Sequence, residues 1–207
     1  MSADEHLLTT VEQLEAHYGH AQGPAVIKEI DHINDNYRRL IEAAPFVVIG
    51  TGGPEGLDCS PKGDPAGFVH VLDAKTIAIP DRPGNNRVDG FRNVVRDPRI
   101  ALLFLIPGIG ETLRVNGRAV ISVDPDLLQR FAINGKLPRS VMLVQVETAF
   151  FHCAKAIARA RLWDEASKVE RKRLPSTGSI IADLSRGELG GEAYDRDLPA
   201  RIKAQLY

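Results

Sequence analysis

The sequence predicts a mainly β fold with flanking helices, in which six or more short antiparallel strands form a closed or nearly closed barrel. Short apolar or alternating segments follow one another from Phe46 onward at the spacing of β-hairpins. Only two helical segments interrupt this series, too few to supply the crossovers of a doubly wound α/β sheet. Because closure removes exposed sheet edges, a barrel is the predicted architecture.

The predicted strands differ in pattern. IALLFLIPG is a continuous apolar run, whereas the two strands after it alternate in part. The glycine-rich turn GGPEG joins the first two strands as a hairpin. In chain order the predicted strands are FVVIGTGG, LDCSPKGD, GFVHVLD, TIAIPD, IALLFLIPG, TLRVNGRAVISVD and VMLVQVETAFFHCAKAIARARLW.

Helices are predicted before the strand series and within it. Apolar side chains recur every three to four residues in 7–18 and again in 29–43, where the pattern ends before Pro45. The helices inside the series are predicted at about 84–96 and about 125–134.

The chain is predicted to be one domain with additions at both ends. Residues 1–45 form N-terminal helices that pack on the barrel, and residues 46–165 form the barrel itself. Residues 166–207 are poor in apolar side chains, so they are predicted to be a C-terminal strap of the same domain, packed on the barrel or on a partner subunit.

Composition argues against several classes of function. Lys and Arg total 26 against 27 Asp and Glu, so no net charge favours binding to nucleic acid or to an anionic membrane. No apolar run approaches a membrane span and no signal-peptide pattern is seen, which predicts a cytoplasmic protein. Two cysteines without CxxC spacing and six scattered histidines indicate neither a disulfide framework nor a metal site.

The strongest chemical signal is the segment IPDRPGNNR, between a predicted strand and a predicted helix. Gly84 frees the backbone, and Asn85 and Asn86 offer amide donors. Arg87 brings a guanidinium to the start of the helix, where unpaired N–H groups attract anions. This arrangement is typical of a phosphate site. The alternative is an ordinary helix cap with a solvated arginine.

The order of these motifs resembles the pyridoxamine-phosphate oxidases and their FMN-binding split-barrel relatives. The resemblance covers about residues 35–165 and rests on GDPAGFVHVLD, IPDRPGNNR, the tripeptide Asp97-Pro98-Arg99 and ETLRVNGRA together. The segments HCAK and GEAYD resemble FMN-dependent members of this class. The resemblance implies an antiparallel six-stranded split β-barrel, FMN bound without a covalent link, and a homodimer with the flavin at the subunit boundary.

The resemblance also implies which residues bind the cofactor. Asn85, Asn86 and Arg87 correspond to the residues that hold the FMN phosphate. Leu113 falls where the family places a polar side chain near the flavin edge. Arg114 could reach the cofactor or a substrate anion, or it could be a solvated strand arginine. The full predicted set is Ser60, Lys62, Pro80, Asp81, Arg82, Asn85, Asn86, Arg87, Leu113 and Arg114.

The chain departs from the vitamin oxidases of this family. Their arginine and lysine on the second strand pair have no clear equivalent, because residues 60–64 are interpreted as an insertion and His70 stands where a basic residue is expected. Lys62 is predicted to be the cation over the flavin pyrimidine or phosphate, and the alternative is a lysine at a loop tip. Residues that would grip pyridoxal phosphate are not identifiable, so oxidation of that vitamin is not predicted.

His152 and Cys153 are adjacent in FHCAK. Adjacent strand residues point to opposite faces of a sheet, so these two cannot form a nucleophile–base pair. Cys153 is predicted to be a small packing residue, and His152 or Lys155 to line the mouth of the cofactor site.

Three functions stand as alternatives. The main prediction is a flavin-dependent oxidoreductase acting on a small organic substrate. The others are a flavin- or haem-binding carrier without turnover, and an interaction module that has lost its cofactor. The cluster at residues 84–87 argues against the last. No GxGxxG fingerprint follows a strand, so NADH or NADPH would bind only transiently over the flavin.

Overall fold

A computed structural model describes residues 6–206. Residues 1–5 of the predicted N-terminal segment and residue 207 of the predicted C-terminal strap lie outside the described part. The described residues form a mixed β and α structure around one seven-stranded antiparallel sheet. The predicted mainly β class with flanking helices is confirmed. The sheet has one strand more than the six implied by the resemblance, and the shortest strand contains only two residues.

Strands β1 to β7 are hydrogen-bonded in the order β2-β1-β5-β6-β7-β4-β3, so β2 and β3 are the sheet edges. The predicted hairpin into LDCSPKGD is confirmed, because β1 and β2 pair directly. The strand bounds are Phe46–Gly53 (β1), Gly56–Gly63 (β2), His70–Val71 (β3), Thr76–Asp81 (β4), Arg99–Leu105 (β5), Thr112–Ser122 (β6) and Ser140–His152 (β7).

Eight α-helices and two single-turn 3-10 helices, Glu165–Ser167 and Arg171–Arg173, are seen in the described residues. None of the helices within residues 6–206 is long and apolar enough to cross a membrane. The α-helix bounds are Val11–Tyr18 (α1), Pro24–Ile27 (α2), Asp35–Ala43 (α3), Asp89–Arg96 (α4), Pro125–Arg130 (α5), Lys155–Ala160 (α6), Thr177–Leu184 (α7) and Gly191–Gln205 (α8).

The predicted helix at 29–43 is too long at its N-terminus. Ile30 instead forms a β-bridge with Ala149, and Asn34 caps α3 by accepting a hydrogen bond from the backbone N–H of Tyr37 at 2.9 Å. The predicted helix at 84–96 likewise begins only at Asp89. The helix predicted at 125–134 ends at Arg130.

The last predicted strand is wrong beyond His152. Residues 155–160, KAIARA, form α6 instead. Alanine, lysine and arginine favour helix over strand, and the alternating pattern that justified the strand stops at this point. The continuous apolar run in β5 is also misleading, because alternate residues of this strand are fully buried and the others are partly or largely exposed.

The core lies on the inner face of the sheet, beneath α3 and α4. Alternate residues of each long strand point inward, and Tyr37, Ile41 and Val94 cover them from the helices. No residue of α1 is buried, whereas Tyr37 and Ile41 of α3 are. The inward side chains of the strands include Val47, Ile49, Ile77, Ile79, Ile100, Leu102, Phe104, Leu113, Val115, Met142 and Val144.

The sheet curls so that its β2 edge comes back beside β4. The two strands are not hydrogen-bonded neighbours in the described sheet. Two ion pairs join them instead, one between Lys62 and Asp81 and one between Arg82 and Asp64, with 2.8 Å between Arg82 Nε and Asp64 Oδ2. The barrel is therefore closed here by side chains, which leaves room for a cleft between the two strands.

Candidate functional site

A cleft of about 140 Å³ opens between β2 and the loop of residues 82–88, which joins β4 to α4. A polar groove along Pro80, Pro83 and Asp64 adjoins it and shares several of its lining residues. Eight of the ten predicted cofactor-binding residues line this cleft or its groove: Ser60, Lys62, Pro80, Asp81, Arg82, Asn85, Asn86 and Arg87.

Strand β2 contributes three alternate side chains to the cleft. Asp58, Ser60 and Lys62 are half-buried and face it, whereas Cys59 between them is exposed. This alternation follows from the period of two residues in a strand. Lys62 is thus a strand residue paired across from Val47, and the alternative of a loop-tip lysine is wrong.

The Lys62 ammonium crosses the cleft. It donates a hydrogen bond to the carboxylate of Asp81, at the end of β4. Its Nζ atom also lies 5.2 Å from the centroid of the Phe91 ring, on α4. Lys62 therefore presents a positive charge at the centre of the site, between the polar loop and the apolar wall.

The loop of residues 82–88 is ordered by its own side chains. The Asn85 side-chain oxygen accepts a hydrogen bond from the backbone N–H of Arg87 at 2.9 Å, and Asn86 has a left-handed backbone with φ of 62°. Arg87 donates to the carboxylate of Asp89, and this hydrogen bond lowers the pKa of Asp89. The Arg87 side chain is 80% exposed and stands at the start of α4, as predicted.

The guanidinium of Arg82 is held by hydrogen bonds to other parts of the protein. Its Nε atom donates to Asp64, whose side chain is only 1% exposed, and its second nitrogen donates to the backbone oxygen of Phe131 at 2.6 Å. Two acceptors thus hold the guanidinium at the place where β2 and β4 meet.

Arg139 lines the cleft and was not predicted from the sequence. Its guanidinium donates to the side-chain oxygen of Asn86, and its backbone N–H donates to the oxygen of Asp81 at 2.9 Å. Within residues 6–206 no carboxylate forms an ion pair with Arg139. It precedes β7, and only the pairing of Asp81 with Ser140 brings it to the loop. No local pattern in LPRS signals this role.

Asp58 is a second cleft residue that was not predicted. It accepts a hydrogen bond from the Ser60 hydroxyl at 2.8 Å, and its carboxylate packs against the first turn of α4. A Cβ atom on Gly90 would lie 2.7 Å from Asp58 Oδ2, so this glycine makes the approach possible. The carboxylate thus already occupies the favourable electrostatic position at the helix N-terminus.

Leu113 and Arg114 lie elsewhere in the same chain. Leu113 points into the core and is fully buried, because it occupies an inward position of β6. Arg114 is exposed on the opposite face of that strand, where its guanidinium lies 5.1 Å from the centroid of the Phe150 ring. Neither residue lines the cleft of its own chain, and their role toward a cofactor stays a prediction.

The cleft has a charged end and an apolar end. Lys62, Arg87 and Arg139 supply positive charge around the loop. The opposite side is lined by Ile49, Val88, Phe91 and Met142. Such a division suits a ligand with an anionic group at one end and a flat apolar body at the other.

Comparison with known proteins was made at the level of sequence and of structure. The sequence model of the pyridoxamine 5'-phosphate oxidase family matches residues 33–153. Comparison with curated proteins finds no match.

Three solved structures show the extent of structural similarity. HupZ of Group A Streptococcus is 19% identical, with 57% of this chain and 93% of that chain covered and a TM-score of 0.46. General Stress Protein 26 of Bacillus anthracis is 14% identical, with 55% and 88% covered and a TM-score of 0.41. An FMN-binding protein of Syntrophomonas wolfei is 12% identical, with 55% and 86% covered and a TM-score of 0.41.

The family match spans more than half of the chain and includes all seven strands, the loop of residues 82–88 and Arg139. The residues that line the cleft all fall within it. The chain therefore belongs to the pyridoxamine 5'-phosphate oxidase-like family of FMN-binding split-barrel proteins.

Proposed function

We propose that this protein binds one FMN per subunit, without a covalent link, in the cleft between β2 and the loop of residues 82–88. The observation that supports this most directly is the meeting of three cations with an apolar wall in one cleft of a chain that belongs to an FMN-binding family. The lining residues suit the cofactor in chemistry, with cations for its phosphate group and apolar side chains for its ring system.

The phosphate group would be held at the charged end. Arg139 is free to pair with it because, within residues 6–206, its side chain donates only to the neutral Asn86. Arg87 would add a second guanidinium, with Asn85 keeping the loop in shape. Charge-assisted hydrogen bonds from guanidinium groups are the usual way to hold a phosphate dianion. Asp58 at the start of α4 disfavours a phosphate there, so the two arginines carry the binding.

The ring system would lie against Ile49, Phe91 and Met142, with the Lys62 ammonium near it. A fixed positive charge beside a flavin stabilises its reduced, anionic form, so Lys62 would adjust the electronics of the cofactor. Bound FMN supplies hydride and electron transfer, and the protein supplies orientation and charge.

The activity proposed is that of an oxidoreductase acting on a small organic substrate, with NADH or NADPH as a candidate electron donor. A flavin carrier without turnover is the second candidate. A haem carrier is disfavoured, because the described lining of the cleft contains no histidine, cysteine or tyrosine, and the Met142 side chain is buried.

Titration of the purified protein with FMN tests the central proposal. Quenching of FMN fluorescence should saturate at about one FMN per chain. A protein that is colourless and does not quench FMN fluorescence would refute it. Addition of NADH or NADPH to the loaded protein without air separates the two candidates, since bleaching of the flavin absorbance supports the oxidoreductase and an unchanged spectrum with both donors supports the carrier.

We also propose a homodimer in which the second copy completes the cleft. The single chain leaves the cleft open beside Arg87, which is largely exposed. Two parts of the chain, α1 and the residues after Trp163, have apolar side chains that its own core does not cover.

A further inference from the structure

A second group of cations lies away from the cleft, where β6 and β7 meet α2. Lys28, Arg114 and His152 surround the ring of Phe150, and these four residues are called the Phe150 cluster below. The Arg114 guanidinium lies 5.1 Å from the ring centroid, Lys28 Nζ lies 5.8 Å from it, and the His152 ring centroid lies 5.0 Å from it.

The positive charges of the Phe150 cluster have no acidic partner in the described part of the chain. No ion pair of Lys28 or Arg114 with a carboxylate is seen among residues 6–206. Other cations of the chain behave differently, since Lys62, Arg82, Arg87, Arg96 and Arg99 each pair with an aspartate or glutamate. Two unpaired cations on one aromatic ring repel each other, so the cluster is electrostatically incomplete.

The imidazole of His152 gives an independent sign of incompleteness. Its Nε2 atom is buried and has no hydrogen-bond partner in the described structure. Buried polar atoms are nearly always paired, so an orphaned nitrogen indicates a missing partner. Burial, together with the charges of Arg114 and Lys28, lowers the pKa of His152. The ring is therefore neutral at pH 7 and can offer an N–H donor.

We propose that the Phe150 cluster is a binding site for a small anion, a carboxylate or a phosphate, separate from the flavin cleft. The anion would pair with Lys28 and Arg114, next to the neutral imidazole of His152. Arg114, expected near the flavin from the sequence, would thus bind an anion at a different place. The proposal does not depend on FMN binding.

Cys153 is a built-in reporter for this site. It follows His152, is exposed, and interacts electrostatically with Lys28. The backbone N–H of Lys155, with the charges of Lys155 and Lys28, lowers the pKa of its thiol. Cys59 is also exposed and lies on β2, away from the cluster, so it serves as an internal control.

The test compares alkylation by iodoacetate, an anion, with alkylation by neutral iodoacetamide. In both reactions the thiolate sulfur forms a bond to the CH2 carbon and iodide leaves. Peptide mass spectrometry gives the rate at each cysteine. We expect the ratio of the iodoacetate rate to the iodoacetamide rate to be at least about tenfold higher at Cys153 than at Cys59, because a cationic site concentrates anions.

Inorganic phosphate should protect Cys153 from iodoacetate, whereas sodium chloride at the same ionic strength should not. Arg114→Ala and Lys28→Ala should bring the rate ratio at Cys153 close to that at Cys59, and Arg114→Lys should restore part of it. Arg118→Ala is the matched control, since Arg118 is exposed on the same strand and no contact with Phe150 is seen. It should leave the ratio unchanged.

Three results would overturn the proposal. One is an equal rate ratio at the two cysteines. Another is equal protection by chloride and phosphate, which would indicate a diffuse positive field and no site. The third is a Cys153 that reacts with neither reagent, because another surface would then cover the cluster. None of these results bears on FMN binding, which is measured separately.

Discussion

Arg139 differs from the other cations of the cleft because its acceptor is a neutral amide. Lys62, Arg82 and Arg87 each begin with a carboxylate partner, which a phosphate would have to displace or share. Arg139 only has to release the oxygen of Asn86. A residue that the sequence did not single out is thus the best prepared to bind the phosphate of the proposed FMN.

We therefore expect Arg139→Ala to weaken FMN binding by roughly tenfold or more, the scale of one charge-assisted hydrogen bond. Riboflavin, which lacks the phosphate, should bind the variant and the parent protein equally. Titration of both ligands by fluorescence quenching measures this. Arg87→Ala should act in the same direction, also on FMN alone.

The distant Arg118→Ala serves as the matched control and should change neither affinity. Parallel loss of FMN and riboflavin in Arg139→Ala would show that the arginine shapes the site and does not bind the phosphate.

Arg82 was predicted to bind the cofactor, but its contacts predict that removing its side chain affects the stability of the fold more than it affects cofactor binding. Its removal would leave the buried carboxylate of Asp64 without this partner, and breaking such a pair costs about 3 kcal/mol or more. We expect Arg82→Ala to lower the free energy of unfolding by about 3 kcal/mol in urea titrations. A variant of normal stability that has lost FMN affinity would instead identify Arg82 as a cofactor ligand.

At the scale of single elements, the close approach of β6 and β7 depends on one glycine. The pairing shifts between Asn116 and Gly117, which forms a bulge in the longest strand pair. A Cβ atom at Gly117 would lie 2.0 Å from the backbone oxygen of Gln145, so any side chain must push the strands apart. These strands carry Arg114, Phe150 and His152 of the Phe150 cluster, and Arg139 directly precedes β7.

We expect Gly117→Ala to lower the free energy of unfolding by about 3 kcal/mol, the upper end of the cost of overpacking a core. Urea denaturation followed by circular dichroism measures this. Gly50→Ala is the control, because a Cβ atom on that β1 glycine would meet only ordinary contacts at 3.7 Å and beyond. A similar loss in both variants would mean that glycine in these strands matters for another reason.

Sequence patterns predicted the elements that depend on local chemistry. The strand TIAIPD, the loop with Asn85 and Arg87 and the presence of a helix after them are encoded within a few residues, so they could be predicted together. The start of α4 was placed too early. The Asn85 side chain accepts a hydrogen bond from the backbone N–H of Arg87 and holds these residues in a loop, although asparagine is also a common helix cap. Periodicity alone does not distinguish an asparagine that caps a helix from one that holds a loop.

At the scale of the whole molecule, the residues that could not be predicted are those that pairing of distant strands brings to the cleft. Asp58 reaches α4 only because β2 curls back beside β4, and Arg139 reaches Asn86 only through the β4 and β7 pairing. Arg114 lies outside the cleft of its own chain because of its register and face on β6, and its role toward a cofactor stays a prediction. Long-range topology decides these positions.

The last prediction concerns the assembly. Side chains of α1 and of the chain after Trp163 remain uncovered, among them Val11, Tyr18, Leu184 and Leu189. Leu184 is 80% exposed, and no residue of α7 or α8 belongs to the barrel core. Soluble monomers seldom expose so many apolar side chains, and a second copy of the chain with two-fold symmetry would cover them.

We therefore expect sedimentation equilibrium at micromolar concentration to give a particle of two 22.6-kDa chains. Leu184→Asp should shift the equilibrium toward the monomer without lowering the stability of the barrel, since the side chain is not packed in its own chain. If the second copy completes the flavin cleft, dilution to the monomer should also release FMN, because binding and association are then linked. A monomer that still binds FMN tightly would show that the single-chain cleft is sufficient, and the uncovered apolar surfaces would then need another partner.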